Sequence, residues 1–249
     1  MESPWLIAIS RQAALQRDMD AVANNIANAN TPGYKAERML FSEYLVRPQR
    51  NAPLSFVQDR GMMRDLREGP LTKTGNTLDL ALTGDGYFTV DTPNGPRYTR
   101  SGRFQLDADR RIVDERGEPV LGDAGQPISI PIDRNVITIA PDGTVSANTD
   151  GTVATDTAIV GKIGVVTFAN PRSMKREAYG LYSSNAAPTP APSTTRVMQG
   201  MLEQSNVNAI QEMTDMIEIS RAYTANQQVL QNEDDRMKSA INKIIGNTA

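Results

Sequence analysis

Residues 209–246 read AIQEMTDMIEISRAYTANQQVLQNEDDRMKSAINKIIG, and within them Met216, Tyr223, Leu230, Met237 and Ile244 recur every seven residues. A seven-residue apolar repeat is the mark of a helix that lays one stripe against a partner helix. The companion positions of the repeat, read as Met213, Ser220, Gln227, Asp234 and Ile241, are mostly polar. The stripe is therefore thin: enough to hold a partner, too little for an isolated coiled coil. From Ala209 to Ile245 the helix spans about 55 Å, with Gly246 placed to end it.

The other end of the chain carries a matching stripe. Leu15, Met19, Val22 and Ile26 fall at steps of four, three and four, and Ala8 and Ala29 extend the row by one heptad each way. Ser3 and Pro4 suit a helix start, and Asn30-Thr31-Pro32-Gly33 suits its end, so residues 4–29 are expected as a helix about 39 Å long. Two narrow stripes at opposite ends of a sequence are most simply buried by bringing the ends together.

Between them the pattern changes period. Leu78–Leu82, Tyr87–Val90, Arg111–Val113, Val136–Ile139 and Ile163–Phe168 are strand-sized apolar runs. The pairs Asn94-Gly95, Arg116-Gly117, Asp142-Gly143 and Asp150-Gly151, with Gly84-Asp85-Gly86, are turn signals. The expected class is α+β: terminal helices forming a coiled-coil-like helical region, with an all-β domain inserted between them. The boundaries read as an N-terminal helix over 1–33, an arm with short strands over 34–74, a β-rich domain over 75–184, an extended return over 185–208 and a C-terminal helix over 209–249. Within the arm, Tyr34–Val46 fits either a short helix or an extended segment, Arg47–Pro53 a loop, and Phe56-Val57 and Leu71-Thr72 short strands. The alternating prolines Pro188, Pro190 and Pro192 favour extended backbone.

Composition removes many functions. The 249 residues contain no His and no Cys, which excludes imidazole-based catalysis, thiolate chemistry and Cys- or His-ligated zinc. A net charge of −3 with scattered Lys and Arg leaves no basic footprint for nucleic acid. Apolar residues at 39% and aromatics at 5% suit a small core in an elongated chain or one that depends on neighbours. No window approaches the ~18 apolar residues of a membrane helix. Direct insertion into a membrane is therefore not expected, and because the start of the chain lacks the pattern of a cleavable secretory signal, export is expected without one. Asp107, Asp109 and Asp114 lack the spacing and terminal Glu of a calcium loop. Gly84-Asp85-Gly86 lacks the lysine and following helix of a phosphate loop.

The order of three motifs then points to a family. Val22-Ala23-Asn24-Asn25-Ile26-Ala27-Asn28-Ala29-Asn30-Thr31-Pro32-Gly33-Tyr34-Lys35 resembles the N-terminal signature of flagellar rod and hook proteins. Leu202-Glu203-Gln204-Ser205-Asn206-Val207-Asn208, followed by Met216-Ile217 and Arg221-Ala222-Tyr223, is similar to the C-terminal one. Gly75–Leu82, Gly84–Phe88 and Tyr98-Thr99-Arg100 look like the signature of the intervening β domain. Tyr34 stands where Phe is common and Gln204 where Gly is common.

The resemblance implies a structural subunit of the basal-body rod that polymerises to transmit torque and line an export channel. It implies no turnover and no cofactor, metal or small-molecule substrate. Implied partners are further copies of the chain, sister rod subunits of the FlgB, FlgC and FlgG types, and the flagellar type III export apparatus. The implied location is the periplasmic rod. The Arg17-Asp18-Met19-Asp20 and Lys35-Ala36-Glu37-Arg38 stretches resemble the proximal-rod branch more than the distal. The alternatives are a sister axial protein of distal-rod or hook type, or a His-free carbohydrate-binding or hydrolase domain on the β body.

The residues expected at subunit interfaces are Leu15, Met19, Val22, Asn24, Asn25, Ile26, Asn28 and Asn30 near the N-terminus. Towards the C-terminus they are Met213, Met216, Ile217, Arg221, Tyr223, Leu230, Met237, Ile241 and Ile244. The four asparagines suit either polar recognition across packed helices or simple helix termination. Tyr223 suits packing or contact, Arg221 a solvated face or an ion pair, and Gly33 the turn.

Overall fold

The computed structural model describes residues 3–46, 54–149 and 158–246. Two compact units are present. A helical unit combines residues 1–29, 36–65 and 207–249, and a β unit combines 30–35 and 66–206.

The helical unit begins with α1 (Ser3–Ala27). The apolar stripe carries the helix, and the Asn-rich segment stops it: the backbone N–H groups of Asn28 and Ala29 turn back to Asn24, Asn25 and Ile26. Strands β1 (Glu37–Val46) and β2 (Leu54–Arg64) follow as an antiparallel hairpin, in register from Glu37 opposite Arg64 to Val46 opposite Leu54. Tyr34–Val46 is thus extended from Glu37 onward, not helical. A bulge lies between Leu40 and Phe41, where the partners jump from Gly61 to Asp59 and leave Arg60 as the extra residue. The loop expected at Arg47–Pro53 lies outside the described residues. The final helix of the chain (Ala209–Gly246) packs against α1, as the two stripes require.

The β unit contains β3 (Leu71–Lys73), β4 (Leu80–Thr83), β5 (Tyr87–Thr92), β6 (Gly95–Thr99), β7 (Gln105–Leu106), β8 (Ile112–Val113), β9 (Val136–Ile139) and β10 (Thr144–Asn148). It continues with β11 (Ala158–Lys162), β12 (Val165–Thr167), β13 (Lys175–Arg176), β14 (Leu181–Ser183), β15 (Thr189–Pro190), β16 (Arg196–Gln199) and β17 (Met201–Glu203); the C-terminal helix is α2. One sheet has six strands in the order β13-β14-β6-β5-β12-β15, and β9, β10 and β11 form another. Alternation along β9 and β10 sends Ile137, Ile139, Val145 and Ala147 inward, where they join Leu80, Leu82, Phe88, Ile112, Val120 and Ile163 in the main core. A second cluster gathers Tyr87, Tyr98, Phe168, Met174 and Tyr182, with Tyr98 and Phe168 edge to face at 4.7 Å.

The turn signals act as their chemistry demands. Thr92 pairs with Gly95, so Asn94-Gly95 closes the hairpin of β5 and β6. Gly143, at φ +87°, turns the chain between β9 and β10, and Asp142 accepts the following Thr144 N–H at 3.1 Å. Asp150-Gly151 lies outside the described residues. The segment 185–208 runs extended but is hydrogen-bonded: β15 pairs with β12, β16 with β4, and β17 with β3. It therefore completes the β unit's sheets. The stretch 34–74 expected as one arm divides, with 36–65 in the helical unit and 34–35 and 66–74 in the β unit.

Candidate assembly interface

The helix pair uses the row on α1 as read from sequence. Ala8 and Val22 are buried, while Leu15, Met19 and Ile26 are half-buried. On α2, Met216, Tyr223 and Leu230 are half-buried along the same seam, but their companions are Glu212, Ile219, Asn226 and Glu233. The expected companions Met213, Ser220, Gln227, Asp234 and Ile241 are exposed instead. The reason is chemical: three of the four true companions are polar, so an apolar count passes over them. Asn226 reaches the buried seam because its Nδ2 donates to the carbonyl of Ala8 at 2.8 Å. Gln12 donates to the Tyr223 hydroxyl at 3.0 Å, which makes Tyr223 both a packing and a hydrogen-bonding residue of the pair.

Of the four signature asparagines, Asn25 carries the central role, at 0% exposure. Its Nδ2 donates to Glu37 O at 2.9 Å and to Glu212 Oε2 at 3.0 Å, and its Oδ1 accepts the Glu37 N–H at 3.0 Å. One amide thus ties α1 to the hairpin backbone and to α2, satisfying polar groups that burial would otherwise penalise. Asn28 donates to Asn24 O at 2.8 Å and Asn24 Oδ1 at 3.0 Å, a local closure of the helix end. Asn30 is exposed.

Sequence reasoning missed Glu212, Asn226 and the Glu37–Arg64 ion pair at 3.2 Å. A signal for Glu212 existed: it lies one turn before Met216, in the first turn of α2, where a carboxylate suits the helix dipole. Asn208 precedes it as a cap, its Oδ1 accepting from Ile210 and Gln211.

The remaining expected interface residues are exposed: Met213, Ile217 and Arg221 lie off the seam, whereas Met237 continues the row of Met216, Tyr223 and Leu230 past the stretch that α1 covers. Met213 is 52%, Ile217 53%, Met237 46% and Ile241 54% exposed; Arg221 is exposed too. Ile210 joins Met213 and Ile217 in an outward row at the start of α2, and Trp5, Leu6 and Ile9 lie exposed on α1. The side chain of Ile244 is outside the described set.

A cleft of about 310 Å³ opens among α1, β1 and the start of α2. Asp18, Glu37, Glu212, Asp215 and Glu218 line it with Arg38, over an apolar wall that includes Val22, Met39, Phe41 and Ile219. Arg38 approaches Glu212 at 3.9 Å but is itself largely exposed. Burial and the neighbouring Asp215 carboxylate push the Asp18 pKa up, against the opposing pull of Arg38.

In the β unit the two end signatures meet. The Lys35 ammonium contacts Glu203 Oε1 at 2.5 Å and donates to Arg67 O at 2.7 Å. Arg100 reaches the other Glu203 oxygen at 3.3 Å, and the Gly69 N–H donates to Oε1 at 3.1 Å. Burial, helped by the Arg100 charge, holds the Lys35 pKa below its ordinary value against the opposing pull of Glu203. Gly33 donates its N–H to Glu203 O at 2.8 Å, at φ +69°. A Cβ there would lie 2.4 Å from the Arg100 carbonyl carbon, so Gly33 serves close approach as well as the turn.

The acidic residues 107 and 114 act locally. Asp107 accepts from the Arg111 N–H and guanidinium, both at 2.8 Å, and Asp114 accepts from Arg116 and Glu118 N–H groups. The backbone bond from Arg111 pulls the Asp107 pKa down.

Three family patterns match in chain order. They are "Flagella basal body rod protein" over residues 6–35, "Flagellar hook protein FlgE/F/G D1 domain" over 81–147 and "Flagellar basal body rod FlgEFG protein C-terminal" over 198–243. The flagellar basal-body rod protein FlgF of Caulobacter vibrioides is 37% identical over 98% of this chain and 98% of its own length. FlgF of Rhizobium meliloti is 33% identical over 99% of each chain. The rod protein FlgG of Bacillus subtilis is 32% identical over 94% of this chain and 96% of its own. With its end signatures joined at Lys35 and Glu203 and its terminal stripes paired as α1 and α2, this chain belongs to the flagellar basal-body rod and hook protein family.

Proposed function

We propose that the chain is a structural subunit of the proximal flagellar rod, held in place by the outward faces of its helical unit and without enzymatic turnover. The observation that carries this reading is the second apolar row of α2. The inward row is covered by α1 from Met216 to Leu230, yet Ile210, Met213 and Ile217 remain exposed on another face of the same helix, and Met237 and Ile241 remain exposed towards its end. Apolar side chains repeated along a helix already packed on its other face suit coverage by neighbours. Further copies, sister rod subunits of the FlgB, FlgC and FlgG types and the flagellar export apparatus are the partners this role requires. The periplasmic rod is its place, and the FlgF-named relatives favour the proximal position.

The test is complementation of a strain lacking the chain. The wild-type chain should restore motility and appear in purified basal bodies, and deletion should stop assembly before the distal rod. Complete basal bodies without the chain would defeat the proposal.

A further inference from the structure

An amine, a carboxylate and a side-chain amide meet at one place in the β unit. Lys35 is 2% and Glu203 1% exposed, and Lys35 Nζ lies 2.5 Å from Glu203 Oε1. Beside them, Lys35 Nζ and Asn206 Nδ2 donate to the same acceptor, Arg67 O, at 2.7 and 2.9 Å. The two nitrogens are therefore no further apart than those two bonds laid end to end. The backbone holds the residues in place: the Gly33 N–H donates to Glu203 O at 2.8 Å and the Asn206 N–H to Tyr34 O at 3.3 Å.

A lysine attacks carbon only as the uncharged amine, and a buried site favours that form. Burial, then the Arg100 charge, favour the amine of Lys35 against the pull of Glu203 and Glu68. Glu203 touches the nitrogen whose proton must be removed. It is also fixed in position, since Arg100 reaches Oε2 at 3.3 Å and the Gly69 N–H donates to Oε1 at 3.1 Å. A nucleophile, an acid–base group in contact with it and an amide within side-chain reach are the parts that a self-catalysed cross-link requires.

We propose that Lys35 and Asn206 become joined by an amide bond, with Glu203 carrying the proton between them. This goes beyond the rod reading and does not depend on it. The ammonium of Lys35 gives one proton to the Glu203 carboxylate and becomes an amine. Reacting atoms must meet at about 3–3.5 Å, and a turn of the half-buried Asn206 side chain brings its Cγ onto Nζ. The Nζ–Cγ bond forms and the Cγ–Nδ2 bond breaks. A second proton shed by Nζ goes to Nδ2, which leaves as ammonia. The departing ammonia takes up the proton held on Glu203, and the carboxylate is restored. No oxidant, metal or cofactor enters the balance. The product ties the segment before β1 to the segment after β17 covalently, at the place where the two end signatures already meet.

The test is the mass of the purified full-length chain, followed during incubation at neutral pH. A species lighter by one ammonia is expected to accumulate. After denaturation, trypsin should release residues 18–38 joined to residues 197–221, uncut after Lys35. Lys35→Arg keeps a buried cation but offers no such amine, and Asn206→Ala removes the amide, so each should abolish the joined pair. Asn206→Asp should give the same pair of peptides by loss of water, at several-fold lower yield. Glu203→Gln should slow the reaction several-fold in chains whose β9 and β10 amides remain protected from exchange. An unchanged mass in the folded wild-type chain overturns the proposal whatever the variants do. So does loss of ammonia without a joined pair, as a cyclic imide at Asn94-Gly95 would give. A joined pair that persists in Asn206→Ala, or that forms undiminished in folded Glu203→Gln, overturns it as well.

Discussion

The ammonium of Lys35 lies 2.5 Å from a carboxylate oxygen of Glu203, and both side chains are almost wholly buried. The two residues are far apart in sequence, one in each end signature, and the same carboxylate also holds Arg100 and the Gly69 N–H. Glu203 is thus the post around which residues 33–35 are fastened to β17. The pairing of the two end signatures has a physical cause here, since each end supplies one member of a buried ion cluster that Arg100 completes.

Removing half of that cluster should be costly. Lys35→Ala leaves Glu203 with fewer donors in a buried setting, and loss of one member of a buried pair costs about 3–5 kcal/mol. Urea unfolding followed on the β unit should show a loss of that size. A change under about 1 kcal/mol would mean that Arg100 and the backbone donors hold Glu203 unaided.

Gly33→Ala should also destabilise the β unit. The backbone at φ +69° disfavours a side chain, and the added Cβ would meet the Arg100 backbone at 2.4 Å. A lowered melting temperature is expected, whereas Gly117→Ala, which also has positive φ but meets nothing within 4 Å, should be milder.

Asn25→Leu keeps the side chain's bulk but removes three hydrogen bonds from a buried junction. Leaving Glu37 and Glu212 short of partners should cost about 1–3 kcal/mol in the helical unit. Hydrogen exchange should rise in β1 and β2 while β9 and β10 stay protected. Equal protection in the variant would assign the hairpin's order to other contacts.

Asp18 gives a pH signature. Its folded pKa is raised from the ordinary 3.8, so the folded chain holds this proton more tightly than the unfolded chain. Stability from this group is greatest at and below pH 3.8, and it falls as the pH rises through the raised folded value. Asp18→Asn should therefore raise the melting temperature at pH 7, with the advantage disappearing towards pH 3.8. An advantage that grows on acidification would reverse the sign of the argument.

Inward and outward residues of α2 should separate folding from assembly. Leu230→Asp strikes the intramolecular seam and should loosen the helix pair. Ile217→Asp sits on the exposed face and should change stability by no more than about 0.5 kcal/mol while preventing incorporation into basal bodies. Normal incorporation of Ile217→Asp would remove the outward row from the assembly surface.

Much of this was legible because periodicity is local. The step pattern of Leu15, Met19, Val22 and Ile26 declares a helix with one buried face, and Asn94-Gly95 declares a tight turn, whatever surrounds them. The start of β1 was less legible: Tyr34–Val46 carries no strict alternation, and its pairing with residues 54–64 is a non-local choice. The companion row of α2 was misplaced by one residue because Glu212 and Asn226 count as polar in any apolar pattern.

By itself the sequence determined two terminal helices with narrow stripes, a β body between them, the absence of His and Cys chemistry, and the family signatures. Local steric and solvation preferences act on neighbours along the chain, so they are written in short stretches. Only the tertiary structure decided that Glu212 and Asn226 enter the seam, that Asn25 joins three elements and that Lys35 meets Glu203. A polar side chain is stable in the interior only where a partner arrives from elsewhere in the chain, and that arrival is a property of the fold.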